Sequence, residues 1–333
     1  MDIRHIQFPN SLPNGLVVAL YGGGRHGRAL ARLLADTRPD IQILTIIDDR
    51  IEEPEHTPPI GPMSGALRKR LRQDDVAVVV PQRLFGAVRS RLEAARVARL
   101  VVTDQALDLA HLFQPRDILA RQSDIRRCTQ LLPAADAAMF RKIVAARTFT
   151  SDYYEPTHPR HSLPPYPADG CEYLDYLDRT RLRTIVDGGV ANGETELSML
   201  TTLPQTERMY GFDSAASLYV QGTYREPLSL DGRFEFVPQG LWSTSANLAL
   251  HPNGHGTYVT DEQPVSQHDC ASVTTLDAFV EARRLDRIDL IKLDVEGCER
   301  AALEGACRTT ARLRPALAVC IYHERDDLFE LPL

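Results

Sequence analysis

An α/β fold with two mostly parallel sheets is what this sequence predicts, and three observations carry the prediction. Short apolar runs alternate with helix-length amphipathic stretches in both halves of the chain. Twice an apolar run ends in a glycine-bearing turn that opens a helix, once at Gly22 to Gly27 and once at Gly189 to Gly193. After each turn, about 20 residues on, an aspartate closes the next apolar run: Asp48 in the first half and Asp213 in the second.

The chain has 333 residues, which at ~150 residues per domain points to about two domains. With 43% hydrophobic and 25% charged residues it has the composition of an ordinary globular protein. The longest apolar runs, LVVAL at 16–20 and VAVVV at 76–80, fall far short of the ~20 residues of a membrane span, so no membrane partner is expected. MDIRHIQFPN lacks the basic start and apolar core of a secretory signal. The six cysteines, at 128, 171, 270, 298, 307 and 320, contain no C-x-x-C pair, so a cytoplasmic setting is expected. The net charge of −7, from 45 acids and 38 bases, argues against nucleic acid as a partner.

In the first half, LVVALY at 16–21 reads as a strand, and GGGRHGRALARLL sets Gly22, Gly24 and Gly27 in the G-x-G-x-x-G spacing of a strand-to-helix turn. IQILTII at 41–47 is a second strand, closed by Asp48 and Asp49; VAVVV is a third, residues 84–96 a helix and RLVV at 99–102 a fourth strand. Runs that are apolar on both faces suit a sheet covered by helices, so residues 1–103 read as a Rossmann-like domain. The functional reading is a second nucleotide site at Gly22, Gly24, Gly27 and Asp48, with Arg25 and Arg28 as a positive edge. A purely structural turn is the alternative. Residues 104–150 read as a helical connector, and the prolines and tyrosines of 150–170 as an extended crossing segment.

The alternation restarts at 171–333. RTIVD at 183–187 is a strand, GETELSMLTTL at 193–203 a helix, RMYGFD at 208–213 a strand and SAASLYVQGTY at 214–224 a helix. FEFVP at 234–238 is a further strand, 243–270 a hairpin or flap, IDLIKLD at 288–294 a strand, 297–312 a helix and ALAVCIY at 316–322 the last strand. Asp187, Gly189 and Gly193 fall where such a sheet reverses its strand order, the usual ligand crevice. Asp213, at the tip of the neighbouring strand, is placed to accept two hydrogen bonds from a ribose diol.

IVDGGVANGE, YGFDS, TTLDAF, IDLIKLDVEGCERAALEGA and RPALAVCIYHERDDLFELP resemble, in that order, the successive motifs of FkbM-type methyltransferases. The resemblance spans about residues 170–333. It implies a class I methyltransferase sheet, S-adenosylmethionine as cofactor, and O-methylation of a small-molecule or glycan acceptor, often at a sugar hydroxyl. Carried over by position, Asp187, Gly189, Asn192 and Gly193 line the methionine and ribose end, Asp213 holds the ribose, and Gly240 to Trp242, with Leu241 at the centre, lie near the adenine. Asp294 and Glu296 face the sulfonium and acceptor. His323 and the carboxylates Asp294, Glu296 and Glu299 are the candidates for general base, with Glu299 alternatively an acid favoured at a helix start. His323 is the first choice, because its pKa can sit near neutrality, and Asp294 is read as an orienter.

YGGGRHGRALARLL followed by TIIDDR is similar to the N-terminal nucleotide-sugar-binding domain of PglD-like sugar acyltransferases, over about residues 16–103. One departure stands out in the second half. A class I methyltransferase normally carries two more strands beyond the one read at 316–322, so the sheet is expected to lack them. Either the sequence is a piece of a longer protein, or the edge is open or completed by a partner chain in a homo-oligomer. No metal site is expected: His158 with His161, and His251 with His255, have usable spacings but no third ligand. Cys298, Cys307 and Cys320 read as small buried apolar residues. Two rival functions remain: an NAD(P)-dependent oxidoreductase working through Gly22 to Gly27, and a non-catalytic nucleotide-binding module.

Overall fold

The computed structural model describes residues 2–6, 12–49, 51–103, 112–150, 153, 156–163, 172–251, 257–261 and 270–333. The chain divides into two compact units, Met1–Leu163 and Pro164–Leu333. In the first, β1 (Asp2–Ile6), β2 (Val17–Tyr21), β3 (Gln42–Ile47), β4 (Ile60–Gly61), β5 (Val76–Pro81) and β6 (Arg99–Thr103) form one sheet in the order β1-β6-β5-β2-β3-β4. Every pairing in it is parallel. The strand residues split alternately between two cores, which is what burial on both faces requires. Val18 and Leu20 join Ala77 and Val79 on one face, and Ala19 and Tyr21 join Val78 and Val80 on the other. The helix Arg25–Thr37 closes the first face with Leu30, Leu33 and Leu34.

Strands β1 and β4 and the short helix Gly65–Arg70 were not legible in the sequence. Each is short, and β4 is an edge strand of two residues. The helices Pro115–Ala120, Gln122–Leu131 and Ala134–Ala146 fall within the first unit. Of the proline- and tyrosine-rich segment, Pro159–Ser162 forms a short 3₁₀ turn. Residues 104–111 and 164–170 lie outside the described residues. Among the described residues no helix is long and apolar enough to cross a membrane.

The second unit is built on β7 (Thr184–Gly188), β8 (Arg208–Phe212), β9 (Phe234–Val237), β14 (Leu290–Leu293) and β15 (Ala316–Val319), all parallel, in the order β15-β14-β7-β8-β9. Ile185, Met209 and Leu290 feed one core, while Val186, Tyr210, Phe212, Ile291 and Leu293 feed the other. The residues read as a flap form a second sheet instead. There β11 (Ala246–His251) lies antiparallel to β12 (Tyr258–Thr260) and to β13 (Cys270–Thr274), and β10 (Gly240–Leu241) runs parallel beside β13. Residues 252–256 and 262–269 of that stretch lie outside the described residues.

Two expected helices are broken, each at a glycine. The 214–224 helix gives way to Ala216–Gln221 and Arg225–Leu230, and Gly222 between them is extended. The 297–312 helix becomes Glu299–Glu304 and Cys307–Leu313. A Cβ on Gly305 would stand 2.0 Å from the Trp242 carbonyl oxygen, so the chain passes too close there for any other residue. The last strand stops at Val319; the Cys320 amide still donates to Leu293 O at 2.9 Å, and residues 321–323 lie outside the strand.

Gly27 and Gly24 make the first turn testable. A Cβ on Gly27 would stand 1.6 Å from the Gly22 carbonyl oxygen, whereas one on Gly24 meets nothing within 4 Å. Gly27→Ala is expected to lower the stability of this unit by about 1–3 kcal/mol, as overpacking does. Gly24→Ser, at an extended N-cap position that favours serine, is expected to be neutral or slightly stabilising. Urea melts followed by circular dichroism compare the two; equal midpoints would show that the turn lacks this close approach.

Candidate functional site

The strand order of the five-stranded parallel sheet reverses at β7, which has β14 on one side and β8 on the other. The turn that leaves β7 is tight: Gly189, Ala191 and Gly193 have φ of +95°, +48° and +90°. Gly189 is required by contact as well as conformation, since a Cβ there would stand 1.9 Å from the Asp294 carbonyl oxygen. The Gly189 amide donates to Phe212 O at 2.9 Å, which ties the turn to the end of β8. The Asn192 carboxamide oxygen accepts from Glu194 N at 3.1 Å, across Gly193, the N-cap of the helix Glu194–Thr202.

Asp213 sits just past β8 and points at this turn. Its carboxylate accepts from Ala191 N and Ala215 N, each at 2.7 Å and each on a different oxygen. Burial pushes its pKa up, and the two donors work against that rise. Gly189, Ala191, Asn192, Asp213, Asp294 and Glu296 are all part-exposed, at the carboxyl ends of three neighbouring strands. Leu241 is buried behind them and would touch a Cβ placed on Gly188, at 3.2 Å.

Asp187, expected along the methionine end of the cofactor, is 0% exposed, and its carboxylate lies 2.8 Å from Lys292 Nζ. Lys292, 1% exposed, also donates to the Gly189 carbonyl oxygen at 3.0 Å. The buried Glu196 completes a trio. Burial first, then the Asp187 charge, push its carboxyl well above the usual range. Burial works against the Lys292 charge, but Asp187, Glu196 and Asp294 outweigh it and the ammonium pKa rises. One lysine and two acids thus share the interior beneath the turn. Sequence reasoning missed Lys292 and Glu196. The available signal was a lysine inside the apolar strand IDLIKLD, a position that demands a buried partner.

The loop after β14 gathers a second cluster. Glu296 and Gly297 are both left-handed, with φ of +56° and +96°. The bend is held by Glu299, 1% exposed, whose two oxygens accept from Val295 N at 2.9 Å and Gly297 N at 3.0 Å. His323 is 5% exposed, with Nδ1 2.8 Å from Glu299 Oε1 and Nε2 3.3 Å from Asp294 Oδ1 and 3.7 Å from Glu296 Oε2. Burial lowers its pKa, but the Glu299 hydrogen bond and the charges of Glu299, Glu296 and Asp294 reverse this and leave it raised.

Asp294 accepts from Tyr173 OH at 3.2 Å and Tyr322 OH at 3.0 Å. Burial would raise its pKa; the Lys292 charge leads the effects that bring it down. Both tyrosine pKa values are raised, by burial and then by Asp294, so both remain donors. The Cys320 thiol nearby is pushed up to about 12, by burial before Asp294. Asp294, Glu299 and His323 bring one ligand atom each within 4.8 Å of one another, a spacing a cation could use. Here the imidazole ring itself stands in the middle of those carboxylates.

Among the other candidates, His158 is buried against Tyr153, with ring centroids 4.8 Å apart. Cys298 and Cys320 are buried, but Cys307, expected inside, is exposed at the start of its short helix. In the first unit Gly22 is left-handed at φ +103°. Asp48 accepts from Gly23 N at 2.6 Å and Ile51 N at 3.0 Å. Arg28 makes a two-pronged pair with Glu53, at 2.7 Å on both prongs. The side chains of Arg25 and His26 lie outside the described residues.

Residues 229–330 match the family model described as the methyltransferase FkbM domain. Among solved structures the chain is similar to the methyltransferase FkbM from Methylobacillus flagellatus KT, at 17% identity and a TM-score of 0.52, over 96% of this chain and 82% of that one. The likeness is one of fold, and the second unit has the class I methyltransferase-like arrangement. No curated protein matches the chain significantly.

The trio beneath the turn predicts a large stability effect. Lys292→Met strands a buried carboxylate and frees the Gly189 carbonyl, and is expected to cost about 3–5 kcal/mol. Adding Asp187→Asn should recover part of that loss, because no buried charge is then left without its counterpart. Denaturant midpoints of the single and double variants check this, and a single variant as stable as wild type would mean that the ammonium is not held inside.

Proposed function

We propose that this chain is an S-adenosylmethionine-dependent O-methyltransferase whose acceptor is a sugar or glycan hydroxyl. The family match over residues 229–330 supports methyl transfer. The observation that carries the cofactor assignment is Asp213. A carboxylate offers about four acceptor positions, and the Ala191 and Ala215 amides take one on each oxygen. The remaining position on each oxygen suits the two donors of a ribose diol. Gly189, Asn192 and Gly193 would carry the methionine end, and Leu241 the adenine side. Asp187 contributes from below, through Lys292 and the Gly189 carbonyl.

The bound cofactor would supply a methyl group already activated by its sulfonium. What the chain must add is position and a destination for the acceptor's proton. Positioning supplies up to ~7–11 kcal/mol of a barrier, and a general base typically ~10²- to 10⁴-fold in rate. Asp294, with its lowered pKa and two tyrosine donors, orients the acceptor hydroxyl by accepting its hydrogen bond. His323 then takes the proton at Nε2, the ring nitrogen that faces Asp294 and Glu296. A polyhydroxylated acceptor is supported by Tyr322: nearly half exposed, with its ring 4.3 Å from that of His323, it offers a flat apolar face beside two carboxylates.

Calorimetry with S-adenosylhomocysteine tests the cofactor assignment. Wild type should bind, and Asp213→Ala should lose two hydrogen bonds, about 2 kcal/mol. Equal affinity in the two proteins would remove the assignment, and binding of NADH instead would favour the oxidoreductase.

Methyl transfer to a panel of nucleotide sugars tests the rest. The base must be neutral, so a raised His323 pKa makes the rate climb with pH, about tenfold per unit below that pKa, and level off above it. His323→Ala should lose the climb and ~10²- to 10⁴-fold in rate. A flat wild-type profile would take His323 out of the reaction.

A further inference from the structure

We propose that Glu299 is a positioning residue: clamped by the Val295 and Gly297 amides, it fixes the proton of His323 on Nδ1 and leaves Nε2 as the nitrogen that faces the acceptor. The inference deepens the base assignment above and rests on it.

The geometry supplies three steps. Glu299 opens the short helix Glu299–Glu304, and its two backbone partners lie in the left-handed bend just before it, so the carboxylate is held by the loop that carries Asp294 and Glu296. Its Oε1 is 2.8 Å from Nδ1, closer than either contact at Nε2, which are 3.3 and 3.7 Å. Glu299 is also 1% exposed, whereas Asp294 and Glu296 are part-exposed and screened by water. A buried carboxylate at hydrogen-bond distance can only accept, so the Nδ1 proton is the one retained when the ring loses its charge. Four neighbouring groups also act on this ring. Asp294 and Glu296 come from the loop after β14, Tyr322 is the adjoining residue, and Asp327 belongs to the last helix, Asp327–Glu330.

Nitrogen-15 shifts of histidine-labelled wild type, titrated through neutral pH, read the tautomer without cofactor or acceptor. The expected result is a neutral His323 protonated on Nδ1; a ring protonated on Nε2 overturns the proposal. In Glu299→Gln the titration of His323 should move down by about one unit or more. The acidic limb of the rate profile should move with it, and kcat should fall about 10²-fold, with KM for the cofactor unchanged. An unmoved titration in the folded variant also overturns the proposal. Should the variant fail to fold, the wild-type tautomer decides alone. An Nδ1 proton in a protein that transfers no methyl group would support the role of Glu299 while sinking the methyltransferase reading; transfer by a ring protonated on Nε2 would do the reverse.

Discussion

The second unit turns on one buried ammonium. Lys292 Nζ joins β14 to β7 through Asp187 and reaches the turn itself through the Gly189 carbonyl. Burying a charge in the middle of a sheet is costly unless it is paired and hydrogen-bonded, and these two contacts meet both conditions. Glu196 lies buried beside this pair, and burial and the Asp187 charge push its carboxyl pKa well above the usual range. The field of the same ammonium extends to both acids at the surface of the site: it helps bring the pKa of Asp294 down, and at Asp213 it adds to the Ala191 and Ala215 amides in opposing the burial that leaves that pKa raised. The two ends of the crevice therefore take their electrostatic setting from a group that touches neither of them.

Both units share a second device. In each, the aspartate beyond the strand next to the glycine turn bends back and accepts a backbone N–H from that turn: Asp48 from Gly23 and Asp213 from Ala191. Such turns carry several backbone donors with no helical partner, and a carboxylate satisfies one while pinning two strand ends together. What lies beneath differs. The first turn rests on apolar packing and on the close approach of Gly27 to Gly22, with Arg28 engaged by Glu53 at its rim. The second rests on the charged trio. One sequence signature thus produces the same backbone solution over two unlike foundations.

The central strands were legible because each is apolar on both faces, and the two turns because glycine spacing and a following acid mark them. Edge strands such as β1 and β4 were not, since two to five residues without strong alternation carry little signal. The helix break at Gly305 depends on a contact distant in sequence, the Trp242 carbonyl. At the site, Asp213 could be named from its spacing after the glycine turn, and Asp294, His323 and Glu299 as candidates along the motifs that resemble the FkbM family. Their pairing could not: Glu196 and Glu299 both look like acids placed to favour a helix N-terminus, and only the fold shows one beside Asp187 and the other facing His323.

The small mixed sheet packs against the loop after β14. Leu248, Val259 and Val273 pack with Cys298 and Val295, and the Cys298 thiol donates to the Val259 carbonyl. Its outer strand, β12, has no partner on its far side among the described strands. Val295 packs into the cores on both sides of this junction and the Trp242 carbonyl lies against Gly305, whereas β12, among the described strands, pairs only with β11, so length added or removed along that rim would leave the register of the parallel layer intact. Evolution thus has a place to reshape what sits over the loop bearing Asp294 and Glu296, leaving the crevice beside Asp213 as it was.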